Sequence, residues 1–204
     1  MEEINCKMPG KKLPITREEA IELLKSMDQK ESDWNHYLES EVIMKALAEK
    51  LDEDVNYWSM LGLLHDTDWA LTKDNWKEHS IKATEILKEK GFDNEFIEII
   101  QSHAYGDREI PYLENKNRTK KIEHALASAE TITGLIYAYA LMRGKNISDM
   151  DASGLKKKFK DKRFAENCNR EIIKEIENVG ISLDEFFDLS IKAIQNIKNQ
   201  IGLI

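Results

Sequence analysis

Residues 54–65 constrain the fold more than any other segment. They read as one helix, and through Met60-Leu61-Gly62-Leu63-Leu64 its apolar face is too broad for a surface position. Such a helix is central, and Gly62 suits the close approach of a neighbour. The run closes on His65-Asp66, and Asp66-Thr67-Asp68-Trp69 breaks it. Adjacent residues of a regular helix point about 100° apart, so this pair can face one site only at a helix end.

The remaining segments also read as helices. Thr16-Arg17-Glu18-Glu19 is a capping box that opens a helix to about Met27, with Ile21 and Leu24 inward. Ser32 is expected to cap a longer helix with Trp34, Leu38, Val42, Leu47 and Leu51 at helical spacing and His36 in its first turns. Residues 76–90 form the next expected helix, stopped by Gly91, and Asp93 caps a short one that ends at His103. The stretch from Tyr105 to Arg118 holds Gly106, Pro111 and many polar residues, which predicts a loop and a candidate lid. From Thr119 to Arg143 runs the longest expected helix, rich in Ala, predicted to be buried and to end at Gly144. Two more are expected at roughly 163–178 and 183–200, the last opened by the capping box Ser182-Leu183-Asp184-Glu185. No five-residue stretch alternates with period 2, so the predicted class is all-α. Residues 1–15 are expected to be a flexible tail, and 16–204 a single domain with its core at about 34–143 and further helices over 145–204.

Composition narrows the function. A net charge of −8 argues against general nucleic-acid binding, because a polyanion is repelled overall. Cys6 and Cys168 lie far apart and make neither a disulfide framework nor a CxxC metal spacing, which favours a reducing cytoplasm. The N-terminus lacks the apolar segment of a secretory signal, and no membrane span is expected. Of the five histidines, His36, His65, His79 and His103 fall at or near expected helix ends around the His-Asp pair. Any one of them alone reads as a surface or satisfied core residue. Together they are what a metal site built from several helices requires, since imidazole suits Mn, Fe, Ni, Co or Zn and an adjacent carboxylate can bridge two ions.

Taken in order, His36, His65-Asp66, His79, His103 and the acidic Glu130 resemble the HD-domain superfamily of metal-dependent phosphohydrolases, in its six-ligand form. The resemblance runs from about Trp34 to the last helix. It includes Gly-Leu-Leu-His-Asp at 62–66, Ala129-Glu130-Thr131-Ile132-Thr133-Gly134 and the stretch from Lys156 to Phe164, a pattern similar to a bacterial subgroup of HD hydrolases. It implies an HD-domain helical bundle with additional C-terminal helices. It further implies two divalent ions, one held by His36, His65, Asp66 and Glu130 with Asp66 bridging, and a second held with help from His79 and His103. The family usually has aspartate at the sixth position. Here it is Glu130, one methylene longer, with no other acid within four residues. Two ions can hold a hydroxide between them and neutralise phosphoryl oxygens, and a bound water's pKa falls towards about 7.

The implied activity is hydrolysis of a small phosphorylated substrate, a nucleotide or other phosphomonoester, by a metal-bound hydroxide, with Asp66 and His65 at its centre. Two other readings stand beside it: a di-iron oxygenase of the same fold, and a non-catalytic nucleotide-binding sensor. Asp68, two residues past the pair, is counted with the catalytic residues as a proton acceptor or an orienter of a ligand histidine, with a helix cap as the alternative. His124, off the face of Glu130, reads as structural, and Glu123 as solvated charge. The run from Lys156 to Arg163 carries six basic residues and one acid. Within it Lys157 and Arg163, and Arg108 in the loop, are the cations expected to hold phosphate. Trp69 and Trp76 read first as core or rim packing. The stripe Ile191, Ile194, Ile197 and Ile201 is expected to pack inward.

Overall fold

The computed structural model describes residues 11–204, and these are all-helical, with no strand among them. Expectations for residues 1–10, Cys6 among them, lie outside the described residues. In chain order the helices are α1 (Arg17–Lys25), α2 (Glu31–Leu51), α3 (Val55–Leu64), α4 (Trp69–Thr72), α5 (Ile81–Glu89) and α6 (Asn94–Ser102). They continue with α7 (Lys121–Met142), α8 (Ala152–Lys160), α9 (Arg170–Lys174) and α10 (Leu183–Gln195). Short 3-10 turns lie at Trp76–Glu78, Glu175–Val179 and Lys198–Gln200.

Asp54 caps α3 by accepting the Tyr57 amide, and seven of the helix's ten residues are buried. Its main neighbour is α2, and the contact depends on Gly62. A Cβ built there would stand 2.5 Å from the Ser40 carbonyl oxygen and 3.0 Å from the Glu41 Cα, so only glycine lets the two backbones meet. Helix α7 packs on α2, α3 and α6, while α9 and the following turn pack on α7, and α10 on α2 and α8. The isoleucine stripe that runs from α10 into the C-terminal turn faces inward: Ile191, Ile194 and Ile201 are buried and Ile197 partly so.

Several boundaries differ from expectation for local reasons. The cap of α2 is Lys30, whose amide donates to the Asp33 carboxylate at 3.2 Å, so Ser32 lies inside the first turn. Residues 76–90 are not one helix: His79 is extended and Ser80 left-handed (φ 65°), which separates the 3-10 turn from α5. Helix α8 was not expected, because only its Leu155 and Phe159 are buried apolar positions among nine residues. The helix expected over 163–178 begins at Arg170, whose guanidinium holds the carbonyls of Ala165 (2.6 Å) and Cys168 (2.7 Å), freed by an irregular turn. Helix α7 is by length and composition apolar enough to cross a bilayer, but most of its apolar stretch is buried inside the bundle. Residues 11–15, expected to be part of a loose tail, lie against the body. The Lys11 amide donates to Asp54 at 2.8 Å, and Leu13 and Ile15 pack on the core.

Two stability measurements follow. Gly62→Ala forces α2 and α3 apart and is expected to cost about 1–3 kcal/mol by overpacking, read as a lower melting temperature. A variant as stable as the parent would mean the two backbones do not meet at Gly62. Glu39 of α2 is buried with Oε1 unpartnered, and burial pushes its carboxyl up to about 8 from an ordinary 4.5. The unfolded chain ionises this group more readily than the folded one. Its effect is therefore absent below about pH 4.5, destabilises progressively as pH rises towards 8, and then levels off. Glu39→Gln should flatten stability between those pH values relative to wild type by up to about 1.4 kcal/mol per pH unit in denaturant titrations. Parallel curves would contradict this account.

Candidate metal centre

Four helix ends and one turn converge. His36 comes from the first turns of α2, and His65 is the residue that ends α3. Asp66 follows at once in the turn that breaks the helix, so the two neighbours face one site. His79 sits in the extended link before α5, and His103 ends α6.

The Asp66 carboxylate lies between two histidine pairs. Its Oδ2 is 3.8 Å from His36 Nε2 and 3.6 Å from His65 Nε2, and its Oδ1 is 3.6 Å from His79 Nε2 and 3.2 Å from His103 Nε2. Within each pair the Nε2 atoms are 2.9 Å apart. Two sets of ligand atoms, His36–His65–Asp66 and Asp66–His79–His103, thus each gather tightly enough to hold an ion.

The other ring nitrogen of every histidine is engaged away from the site. His65 Nδ1 donates to the Gly62 carbonyl (2.9 Å) and His103 Nδ1 to the Ile100 carbonyl (2.6 Å). His79 Nδ1 donates to Asp68 Oδ1 at 2.9 Å. His36 Nδ1 is 2.8 Å from Thr133 Oγ1, whose own proton goes to the Glu130 carbonyl (2.6 Å), so the hydroxyl is the acceptor. Carbonyls, a carboxylate and an occupied hydroxyl can only accept, which leaves each Nδ1 protonated and turns each Nε2 to the site, where it offers a lone pair whenever the ring is neutral.

Charge distinguishes the two pairs. Burial pushes His36 down, and it takes His65 down to about 3 against the pull of Asp66, so this pair is neutral. Two lone pairs then oppose each other at 2.9 Å with no proton between them, an arrangement that a cation relieves. Burial also lowers His103, but its hydrogen bond to Asp66 and the Asp66 charge outweigh it and push the ring up to about 9. Burial would raise Asp66, yet His65, His103 and His79 hold it well below the ordinary carboxylate range. Imidazoles around one ionised carboxylate make a donor set that could hold a divalent metal ion.

Asp68 is fully buried, and its two roles coexist. Beside holding His79, its Oδ2 accepts the amides of Ser80 (2.7 Å) and Ala83 (3.0 Å), which caps α5. With both oxygens engaged, it orients His79 rather than facing a substrate. The Trp76 ring stacks on His79 (4.6 Å between centroids, 16°) and meets Trp69 edge-on. The segment from Tyr105 to Arg118 is packed down rather than standing free. Ile110 and Leu113 are fully buried with Ala104, and the Tyr112 hydroxyl donates to the His79 carbonyl at 2.9 Å.

Glu130 lies on α7 one turn before Thr133, and burial pushes its carboxyl up to about 7 against the pull of His103 and a short Thr131 hydrogen bond. It is not among the residues whose ligand atoms converge. Arg108 is exposed on the packed segment, Lys157 is exposed on α8, and Arg163 is 95% exposed beyond it. Among the described residues no hydrogen bond or ion pair joins these three to the histidines. His124 is structural, with Nδ1 2.6 Å from Glu175. Glu123 is buried and accepts the Thr119 and Lys120 amides at the start of α7, not the solvated charge expected. Sequence reasoning missed Thr133, Tyr37 (whose hydroxyl donates to the Asp66 carbonyl at 3.2 Å) and Arg118. Only Thr133 carried a signal, its place one turn after Glu130.

No curated protein and no solved structure matches the chain. Residues 33–130 match the family model described as HD domain, which spans all the clustered histidines, Asp66 and Glu130. The matched segment is thus similar to an HD domain, a superfamily whose members are generally metal-dependent hydrolases, and it holds both histidine-aspartate clusters.

Proposed function

We propose that this protein is a metal-dependent phosphohydrolase acting on a small phosphorylated substrate, a nucleotide or another phosphomonoester. One ion would be held by His36, His65 and Asp66 and a second by Asp66, His79 and His103. The reading is carried by the Asp66 carboxylate, which turns one oxygen to each histidine pair. Bound there, two divalent ions would supply positive charge against the phosphoryl oxygens and acidify a water near neutral pH. The chain's own residues prepare the site for this. The Nδ1 bonds of the four histidines hold the rings with Nε2 inward, so an ion would need no ring to turn, only the His103 proton to leave. His36 and Asp66 are the more open members (28% and 16% exposed), while His65 and His79 are fully buried, so substrate would approach over the former. Glu130 is assigned as a further carboxylate of the His36–His65 half. Arg108 is the cation assigned to phosphate, because Tyr112 on the same segment is tied to His79.

Metal content by mass spectrometry, on protein purified without chelator or affinity metal, tests the reading. Wild type should carry about two transition-metal ions per chain and hydrolyse a substrate in a phosphomonoester and nucleotide screen with that metal. Asp66→Ala should lose both ions and the activity; a variant with wild-type content and rate would remove Asp66 from the centre. His79→Ala should keep only the His36–His65 ion. Asp68→Asn places an amide N–H against His79 Nδ1 or against the Ser80 and Ala83 amides. It should weaken the second ion roughly 10–100-fold in equilibrium titrations. Failure of wild type to take up Mn, Fe, Ni or Zn would overturn the enzyme reading.

A further inference from the structure

Arg118 precedes α7, and its side chain is only 8% exposed. Its Nε and Nη2 donate to the two carboxylate oxygens of Glu175 at 2.6 and 2.7 Å, a bidentate pair. Its Nη1 donates to the carbonyls of Ser102 (2.8 Å), Tyr105 (3.2 Å) and His103 (3.3 Å). Ser102 and His103 end α6 and Tyr105 follows in the next turn; a helix end leaves its last carbonyls short of intrahelical donors and carries partial negative charge. Glu175 accepts from His124 as well, so the guanidinium is held from behind as it holds α6 in front.

We infer that Arg118, clamped by Glu175, is a positioning residue for His103, and so for the Asp66–His79–His103 half of the centre. The inference rests on the metal reading above. His103 Nδ1 bonds the Ile100 carbonyl within its own helix, so the ring orientation follows the end of α6. Arg118 fixes that end relative to α7 and to the Glu175–Val179 turn. A planar fork can grip a carboxylate with one edge and carbonyls with another, which a lysine ammonium cannot. Glu175 lies beyond the segment 33–130 that matches the HD domain, so the C-terminal part of the chain completes this half of the site.

Arg118→Gln, Arg118→Lys and Glu175→Gln test the inference in the full chain. Arg17→Gln serves as comparator, because it removes another bidentate pair, Arg17 with Glu41, between α1 and α2. Both Arg118 variants should bind the second ion roughly 10–100-fold more weakly while the first is retained. Glu175→Gln should move in the same direction by less. Arg17→Gln should lower the melting temperature and leave both affinities unchanged. Hydrogen exchange on the metal-free chain gives a readout independent of the metal reading. The amides of residues 103–106, all hydrogen-bonded in the wild type, should exchange faster in the Arg118 variants and at the wild-type rate in Arg17→Gln. Unchanged exchange there overturns the inference whether or not the wild type holds ions. Equal weakening of both ions, or weakening in Arg17→Gln too, would reduce Arg118 to general stability. Should Arg118→Gln fail to fold, the lysine and Glu175 variants carry the same comparison.

Discussion

The contact between Gly62 and the Ser40 backbone sets the geometry on which the candidate metal centre depends. With no side chain at position 62, α2 and α3 approach to backbone contact. One helical turn before Ser40 lies His36, and just under one turn after Gly62 lies His65. Two helices touching at that point therefore place these imidazoles face to face, with Nε2 atoms 2.9 Å apart. Any side chain at position 62 would separate them, because the obstacle is backbone and cannot rotate away. Gly62 also contributes its carbonyl to His65 Nδ1, so one residue sets both the approach and the ring orientation.

Around that contact the protein gathers acceptors behind the histidines and turns every Nε2 to the front. Helix carbonyls suffice for His65 and His103, because a residue at a helix end can reach back three positions to a carbonyl of the last turn, which has a second lone pair to offer. His36 and His79 point away from their own chain's carbonyls and need partners from elsewhere, Thr133 on α7 and Asp68 after α3. The Asp66 charge draws a proton to His103 in the metal-free chain, while the His36–His65 pair stays neutral with its lone pairs opposed.

The backbone at Ser80 shows the cost of placing His79. A non-glycine residue at φ 65° is strained by about 1 kcal/mol or more. Asp68 offsets this by binding the Ser80 and Ala83 amides and the His79 ring with one buried carboxylate. Trp76 stacked on His79 and Tyr112 bonded to its carbonyl close the same corner. Arg118 and Glu175 play the corresponding part at His103, from opposite ends of the α7 to α9 region.

The all-α class, α3 as its centre, the capping of α1, α6 and α10, and the choice of His36, His65, Asp66, His79 and His103 as residues that could gather were legible in the sequence. Each rests on spacing along the chain: apolar residues at helical intervals, a capping side chain three residues before an amide, a His-Asp pair where a helix must stop. The irregular parts were not legible. The break at His79-Ser80 exists because Asp68, eleven residues earlier, competes for amides that would otherwise begin a longer helix. Helix α8 shows only two apolar positions of its own and is held by packing against α7 and α10. The expected lid is packed because Ile110 and Leu113 find a small core of their own. The sequence by itself determined which residue types could bind an ion and that helices would carry them, since both follow from local chemistry and periodicity. Only the tertiary structure decided that Asp66 stands between two histidine pairs, that Asp68 turns to His79, and that Glu175 reaches Arg118. Those pairings join residues distant in sequence, and their distances are fixed by how helices pack, which no local spacing encodes.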